Sequence, residues 1–149
     1  MVFWERLPGE MTMKLHYEVP GNDFTRAGEA SGELKLKLKR LGFSSDVIRR
    51  MTIAMYEGEI NMAIHAGGGV ADVEILPDRI TVVLTDNGPG IPDIEQAMKE
   101  GWSTAPDNIR SLGFGAGMGL PNIKKYTDML DIKSVVGEGT SLTMTVLAG

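Results

Sequence analysis

The sequence has 149 residues, a formal net charge of −5, 19 glycines and no cysteine. This length suits a single domain that buries a core without covalent cross-links, and the absence of cysteine excludes disulfides, thiolate metal sites and cysteine nucleophiles. The negative charge argues against a nucleic-acid or anionic-membrane partner, and no segment has the ~18–20 consecutive apolar residues of a membrane span or the pattern of a signal peptide. We therefore expect a cytoplasmic globular protein whose glycine content, nearly double the usual ~7%, needs an explanation.

Apolar periodicity and turn residues predict helices and strands that alternate along the chain. Residues 1–12 are expected to form a loose N-terminal extension, and residues 13–149 a single domain. Because hairpins dominate the strand pairing, the order predicts an α/β (α+β) two-layer sandwich, with a mixed, largely antiparallel sheet covered by helices on one face. In chain order, the predicted elements are a strand at 14–19, helices at 25–41 and 44–66, a hairpin of strands 70–76 and 80–84, a turn at 86–90, a short helix at 93–100, a glycine-rich loop at 102–119, a helix at 121–130 and a closing hairpin of strands 132–136 and 141–147.

The second predicted helix carries a polar stripe between two apolar sides, made by Arg50, Glu57, Asn61 and His65. Glu57, Asn61 and His65 follow each other at intervals of four, so they point the same way. A carboxylate and an amide flanked by apolar residues are costly to bury without partners, and a pocket that holds a ligand or cation would supply those partners. The solvent face of the helix explains the same periodicity equally well. His65 alone is more typical of a structural histidine, and Glu59, which projects elsewhere, is expected to be solvated.

Glycines before the last predicted helix form the most regular of the glycine clusters. From Gly113 to Gly119 a glycine occupies every second position. Glycine permits close backbone approach to a ligand, and the free N–H groups of a helix N-terminus suit phosphate. A mobile linker has a similar composition, and no Gly-Lys-Ser/Thr follows as in a Walker loop. The other clusters are Gly67, Gly68 and Gly69, interpreted as a helix stop and loop, then Gly88 and Gly90, and Gly137 and Gly139.

Asp86 stands at the end of a predicted strand, beside Gly88 and Gly90. Its carboxylate could accept a hydrogen bond from an exocyclic amine while the glycines let the backbone come close. A tight turn is the alternative, since Asp, Asn, Gly and Pro are all turn formers. Each glycine cluster is ambiguous by itself.

Four motifs occur in one order, and together they resemble the Bergerat-fold (GHKL) ATPase and kinase superfamily of gyrase, Hsp90, sensor histidine kinases and the MutL group. The resemblance covers residues 13–147. Within the superfamily, the size and the stretch IPDIEQAMKEGWST resemble the free-standing anti-sigma-factor serine/threonine kinases of the RsbT, RsbW and SpoIIAB type, although PDNIRSLGF is longer than their compact glycine run. The motifs are Glu57-x-x-x-Asn61, Asp86-x-Gly88-x-Gly90, Gly115-x-Gly117-x-Gly119-Leu120 and Gly139-Thr140.

The resemblance implies a role for each matching residue. Glu57 matches the general base, and Asn61 matches the asparagine whose amide oxygen holds Mg²⁺ against the phosphates. Asp86 matches the carboxylate that accepts from the adenine amine, and Thr140 would reach the same base by its hydroxyl or through water. The remaining cofactor-binding residues are Gly88 and Gly90 at the base, and Gly115, Gly117, Gly119 and Leu120 in a mobile lid around the phosphates. Lys124 and Lys125 are expected to be solvated.

The implied activity is ATP- and Mg²⁺-dependent phosphorylation of a serine or threonine on a small STAS-domain antagonist protein, which regulates by partner switching. The implied partners extend to a sigma factor or another regulator, and a homodimer is compatible with the family. One alternative is a non-catalytic, ATP-dependent anti-sigma or scaffold-binding module, against which the presence of Glu57 argues. The others are a stand-alone histidine-kinase-like catalytic domain, which would need its phosphoacceptor histidine in trans, and a gyrase-like ATPase fragment.

Overall fold

The computed structural model describes residues 2–7, 10–21, 26–99 and 119–148. None of the helices in these ranges is both long enough and apolar enough to cross a membrane. The helices and strands are β1 (Val2–Leu7), β2 (Glu10–Pro20), α1 (Glu29–Arg40), α2 (Ser45–His65), β3 (Gly68–Leu76), β4 (Arg79–Asp86), α3 (Ile94–Ala97), α4 (Gly119–Tyr126), β5 (Met129–Val135) and β6 (Gly139–Leu147).

The strands form one six-stranded sheet in the order β1-β2-β3-β4-β6-β5. All five pairings between these described strands are antiparallel. The predicted two-layer α/β arrangement with a largely antiparallel sheet is therefore confirmed, and no parallel pair occurs among the strands that the structure describes.

The core lies between one face of the sheet and the helices. Residues alternate between the faces of a strand, so the cross-strand row Val73, Val82 and Met144 faces the same side, and all three side chains are buried. Helix α2 packs across β2, β3, β4 and β6, while α1 and α4 pack against α2. The helical side contributes Leu34, Leu38, Met51, Met55 and Ile123, each with essentially no exposed surface.

Helix α2 was predicted within one residue at each end. Ser44 caps its start, where the side-chain oxygen accepts from the backbone N–H of Val47 at 3.2 Å. Gly67, with φ of +70°, follows its end. The helix is long because its sequence satisfies both the start and the stop signals and presents a broad apolar surface between them.

The prediction of a loose extension over residues 1–12 is wrong for the part that the structure describes. Val2–Leu7 pairs with β2, from Val2 opposite Leu15 to Leu7 opposite Glu10. Without this pairing β2 would be an exposed sheet edge with unsatisfied backbone groups. The dipeptide Pro8-Gly9 between the two strands is a turn signal that could have predicted the hairpin.

The last helix is shorter than the predicted 121–130, since α4 ends at Tyr126 and Leu130 lies in β5. The backbone N–H of Asp128 donates to the carbonyl of Thr145 at 2.9 Å, and the Asp128 carboxylate accepts from the N–H of Leu147 at 2.7 Å. These bonds join the chain to β6 from residue 128 onward, so the chain continues as the edge strand β5 and not as a helix. The predicted helices at 25–41 and 93–100 also shorten, to the bounds of α1 and α3.

The expectation that Glu59 is solvated is wrong. Its side chain is 1% exposed and accepts from the backbone N–H groups of Gly28 at 2.9 Å and Ser31 at 2.7 Å. These donors belong to the first turn of α1, whose N–H groups have no partner within the helix. A carboxylate from the middle of α2 therefore caps α1, and burial raises the pKa of Glu59 although those hydrogen bonds oppose the rise.

Candidate functional site

Three polar side chains form a row at one end of the sheet, on the face that packs against the helices. The register places Leu84 opposite Leu142 in the apolar core, and two residues further along it places Asp86 opposite Thr140. On the other side of β6, Ser134 stands opposite Thr140. Since side chains two apart share a face, Asp86, Thr140 and Ser134 form one row that continues the core surface into a polar region.

The Asp86 carboxylate is held by two backbone donors. Its Oδ1 atom accepts from the N–H of Gly88 at 2.9 Å and from the N–H of Thr140 at 3.2 Å. Both bonds go to the same oxygen, which orients the carboxylate. Within the part of the chain that the structure describes, this leaves Oδ2 available to accept from a ligand.

The turn after β4 brings its backbone close to the surrounding elements. A Cβ atom at Gly88 would lie 2.5 Å from the Cβ of Ala66, just after α2, and Gly90 has a φ of +81° that favours glycine. The carbonyl of Pro89 accepts from the N–H of Gly137 at 2.9 Å. This turn therefore forms a fixed wall between the C-terminal end of α2 and the β5–β6 turn.

The polar stripe of α2 faces α4 and the residues just after it. A Cβ atom at Gly119 would lie 2.8 Å from Asn61 Nδ2 and 2.9 Å from Asn61 Oδ1, so the amide contacts the start of α4. One turn earlier along α2, Glu57 Oε1 accepts from Asn122 Nδ2 at 3.4 Å. Of the two interpretations that periodicity left open, a plain solvent face is therefore excluded, since the half-buried Glu57 and Asn61 line a helix interface.

An ion pair closes the other end of this interface. Arg50 Nη2 lies 3.0 Å from Asp128 Oδ1, and the two side chains are 22% and 32% exposed. The N–H of Leu147 and the charge of Arg50 lower the pKa of Asp128. Three of the four stripe residues, Arg50, Glu57 and Asn61, therefore contact α4 or the residues just after it. At the far end of α2, burial lowers the pKa of His65, which favours a neutral imidazole in keeping with its structural interpretation.

The other residues singled out from the sequence lie in the core, on the surface or outside the described residues. Leu120 is 9% exposed and belongs to the hydrophobic core, where it anchors the start of α4. Gly115 and Gly117 lie outside the described residues. Lys124 and Lys125 are exposed, as expected.

Two groups of residues thus meet around the C-terminal half of α2. The first comprises Asp86, Gly88, Gly90 and Thr140 at the end of the sheet, and the second comprises Glu57, Asn61 and Gly119 between α2 and α4. Gly88 packs on Ala66, just after α2, and Gly119 packs on Asn61, five residues earlier, so both groups contact the C-terminal half of the helix and its end. In the described ranges no cluster of three or more histidine, aspartate or glutamate side chains could hold a metal ion.

Sequence reasoning missed three residues that contact these two groups. Gly69 was interpreted as part of a loop, but it lies in β3, where an added Cβ would be 3.2 Å from the Cβ of Asp86. Asn122 gives no signal in the sequence, because its contact with Glu57 depends on how α4 packs. Ser134 was missed because a turn at Gly137–Gly139 would pair Val136 with Thr140, whereas the observed register pairs Val135 with Gly139 and Ser134 with Thr140.

Comparison with known proteins shows the family. Residues 45–148 match the family described as histidine kinase-, DNA gyrase B-, and HSP90-like ATPase. The serine/threonine-protein kinase RsbT of Bacillus subtilis is 37% identical over 108 residues, which cover 70% of this chain and 75% of that protein. The anti-sigma F factor of Clostridium acetobutylicum is 30% identical over 145 residues, which cover 93% of each chain.

A solved structure supports the fold. The mycobacterial sensor histidine kinase MprB superposes with a TM-score of 0.51 at 20% identity, over 89% of this chain and 96% of that one. At this identity the likeness concerns the fold alone. The matched family covers most of the chain, and the resemblance drawn from the four motifs is confirmed: the protein belongs to the histidine kinase-, DNA gyrase B- and HSP90-like ATPase family.

Proposed function

We propose that this chain is an ATP-dependent serine/threonine protein kinase of the anti-sigma or switch type, which phosphorylates a STAS-domain regulatory protein in the cytoplasm. The observation that carries the proposal is the placement of Glu57 and Asn61 one turn apart on α2, both against α4. This arrangement puts a carboxylate beside a helix N-terminus, where the phosphates of a nucleotide would be held. The similarity of the chain to a protein named as a serine/threonine-protein kinase supports the same activity.

The nucleobase would bind at the polar row. Asp86 Oδ2 is the acceptor for the adenine amine, because Oδ1 is already occupied by the N–H groups of Gly88 and Thr140. The fixed turn at Gly88 and Gly90 forms the wall against which the base lies. Thr140 supplies a second polar contact, directly or through water.

The phosphates would bind at the start of α4. Free N–H groups and the positive end of the helix dipole favour phosphate at that position, and Gly119 lets the Asn61 amide lie directly against it. Asn61 Oδ1 is a hard oxygen that suits Mg²⁺, and phosphate oxygens and waters would complete its octahedron, as is usual for this ion. When bound, Mg²⁺ supplies positive charge that offsets the charge of the phosphates. Gly115 and Gly117 are proposed to wrap the phosphates from the lid.

Glu57 is the proposed general base. The serine or threonine oxygen of the partner attacks the γ-phosphorus, the bond from that phosphorus to the β–γ bridging oxygen breaks, and the hydroxyl proton passes to the Glu57 carboxylate as ADP leaves. Most of the catalysis in such transfers comes from positioning and charge stabilisation. A general base adds about 10²–10⁴-fold to the rate.

The test is capture of the partner with ATP and Mg²⁺, followed by mass spectrometry of its phosphorylated residue. The expected product is an acid-stable phosphoserine or phosphothreonine on a STAS domain, and an acid-labile phosphohistidine would contradict the proposal in favour of histidine-kinase chemistry. Glu57→Gln should slow formation of the product by about 10²–10⁴-fold while nucleotide binding survives. Glu95→Gln, an exposed carboxylate on α3, is the matched control and should leave the product unchanged.

Sigma-factor sequestration is a second candidate function. It is favoured by the similarity to an anti-sigma F factor along 93% of both chains. This function needs a stable complex rather than proton transfer. A complex with a sigma factor that forms equally well with Glu57→Gln would support it, and it is compatible with the kinase activity.

A further inference from the structure

Three contacts converge on the hydroxyl of Ser134, in the polar row at the end of the sheet. Its Oγ accepts from the backbone N–H of Ile91 at 2.7 Å. It lies 2.8 Å from the Thr140 hydroxyl and 3.2 Å from the carbonyl oxygen of Gly139. One side chain on β5 therefore touches both the turn that follows Asp86 and the start of β6.

Counting protons gives each contact a direction. A serine hydroxyl has one proton to donate and two lone pairs. The Gly139 carbonyl can only accept, so the Ser134 proton goes there, and the Ile91 N–H occupies one lone pair. All three contacts are satisfied only when the Thr140 hydroxyl donates its proton to the second lone pair of Ser134. Thr140 Oγ1 then offers only lone pairs to anything else.

The direction of this bond matters because Thr140 lies next to Asp86. The two residues are cross-strand partners, and the Thr140 N–H holds Asp86 Oδ1. Asp86 Oδ2 and Thr140 Oγ1 therefore form a pair of acceptors on one face of the sheet. An amino group such as that of adenine matches two acceptors, whereas guanine carries an oxygen at the corresponding ring position and would place lone pairs against lone pairs.

We infer that Ser134 is a positioning residue that determines nucleobase specificity, because it fixes the Thr140 hydroxyl as an acceptor beside Asp86. This inference rests on the proposed nucleotide site and deepens it. Ser134 itself does not contact the base, and it acts only through Thr140. Without Ser134, the Thr140 hydroxyl can turn and donate to an oxygen, so the site becomes more tolerant of guanine.

The experiment compares dissociation constants for ATP and GTP, measured by titration calorimetry with Mg²⁺. The wild type should bind ATP more tightly than GTP. Ser134→Ala should lower the ratio of the GTP dissociation constant to the ATP dissociation constant about five-fold, which is the effect expected for one neutral hydrogen bond. Ser134→Thr keeps the hydroxyl and should restore the wild-type ratio. If Ser134→Ala does not fold, Ser134→Cys replaces it, because a thiol is a weak donor and acceptor.

A double-mutant cycle separates this role from a purely structural one. In a Thr140→Val background no hydroxyl remains to be oriented, so Ser134→Ala should leave the ratio unchanged. An unchanged ratio in the single Ser134→Ala variant would overturn the inference, as would an equal fall in both backgrounds, which would point to the Ile91 contact instead. A wild type that binds neither nucleotide would overturn the proposed nucleotide site itself.

Discussion

The side-chain amide of Asn122 on α4 donates to the carboxylate of Glu57 on α2, with 3.4 Å between Nδ2 and Oε1. The same helix interface contains the contact of Asn61 with Gly119 and ends at the ion pair of Arg50 with Asp128. Arg50, Glu57 and Asn61 of the polar stripe are thus each in contact with α4 or the residues just after it. Because both contacts are made by α4, the packing of this helix on α2 positions Glu57 and Asn61 together.

Replacing Asn122 by alanine should slow phosphoryl transfer about five-fold, the effect of one lost hydrogen bond that orients the proposed base. The affinity for ATP should change little, since Asn122 contacts Glu57 and not the proposed nucleotide contacts. Single-turnover transfer with labelled ATP measures the first quantity and calorimetry the second. Lys124→Ala, on an exposed position of the same helix, is the control. A transfer rate for Asn122→Ala equal to that of wild type would show that the contact is incidental.

Gly119→Ala should weaken ATP binding by about ten-fold while the free energy of unfolding changes by no more than about 1 kcal/mol. The added Cβ would fall within 3 Å of both terminal atoms of the Asn61 amide and force that side chain aside. Gly32→Ala is the matched control, because Gly32 also lies in a helix but nothing lies within 4 Å of an added Cβ. The control should raise the unfolding free energy by about 0.5–1 kcal/mol with ATP binding unaltered. Equal ATP affinities in the two variants would refute a close approach at Gly119.

Asp86→Ala should abolish most of the thermal stabilisation that ATP and Mg²⁺ give to the wild type. The substitution removes the proposed acceptor for the base and the anchor for the N–H groups of Gly88 and Thr140. We expect the affinity for ATP to fall about 10–100-fold, because the variant loses one charge-assisted hydrogen bond to the base and no longer holds the turn at Gly88 in place. Asp131→Asn, an exposed carboxylate on β5, should respond to ATP as the wild type does. If Asp86→Ala is stabilised by ATP as much as the wild type is, the nucleobase does not bind at the polar row.

Glu59 should make stability depend on pH. Burial raises the folded-state pKa above the usual 4.5, so the folded chain keeps a proton that the unfolded chain has released. The stabilisation from Glu59 is therefore present below about pH 4.5 and is lost as the pH rises through the folded pKa. Urea denaturation from about pH 4.5 to about pH 8 should show the wild type losing stability relative to Glu59→Gln as pH increases.

The control for this pH dependence is Glu33→Gln, an exposed carboxylate on α1, whose stability should stay parallel to that of the wild type. A constant difference between wild type and Glu59→Gln across the range would contradict the raised pKa. Glu59→Ala, which leaves the N–H groups of Gly28 and Ser31 without their acceptor, should cost about 1–3 kcal/mol at about pH 4.5, and this cost should shrink as the pH rises through the folded pKa of Glu59.

Local signals predicted the central elements well because they are strong and redundant. Helix α2 has a capping serine, a stop glycine and a clear apolar period, and the hairpin of β3 and β4 alternates around a turn. Strand β1 was missed because the Pro8-Gly9 turn signal before β2 was not read as the turn of a hairpin. The site motifs at Asp86 and Thr140 were predicted to belong together, and the cross-strand register places them opposite each other.

Long-range contacts explain what could not be predicted. Glu59 was assigned to solvent because a glutamate in a helix usually is solvated, and its partners at Gly28 and Ser31 are about thirty residues away. The end of α4 depends on hydrogen bonds from Asp128 to β6, and the contact of Asn122 with Glu57 depends on helix packing. Each of these features becomes visible only when two distant segments are placed side by side.

The central claim is that Glu57 takes the proton from a protein hydroxyl during transfer from ATP. The most direct measurement is the single-turnover rate of phosphate transfer to the captured STAS-domain partner by Glu57→Gln, beside its ATP dissociation constant. The account predicts a rate lower by about 10²–10⁴-fold with the affinity for ATP retained. Transfer by Glu57→Gln at the wild-type rate would contradict it.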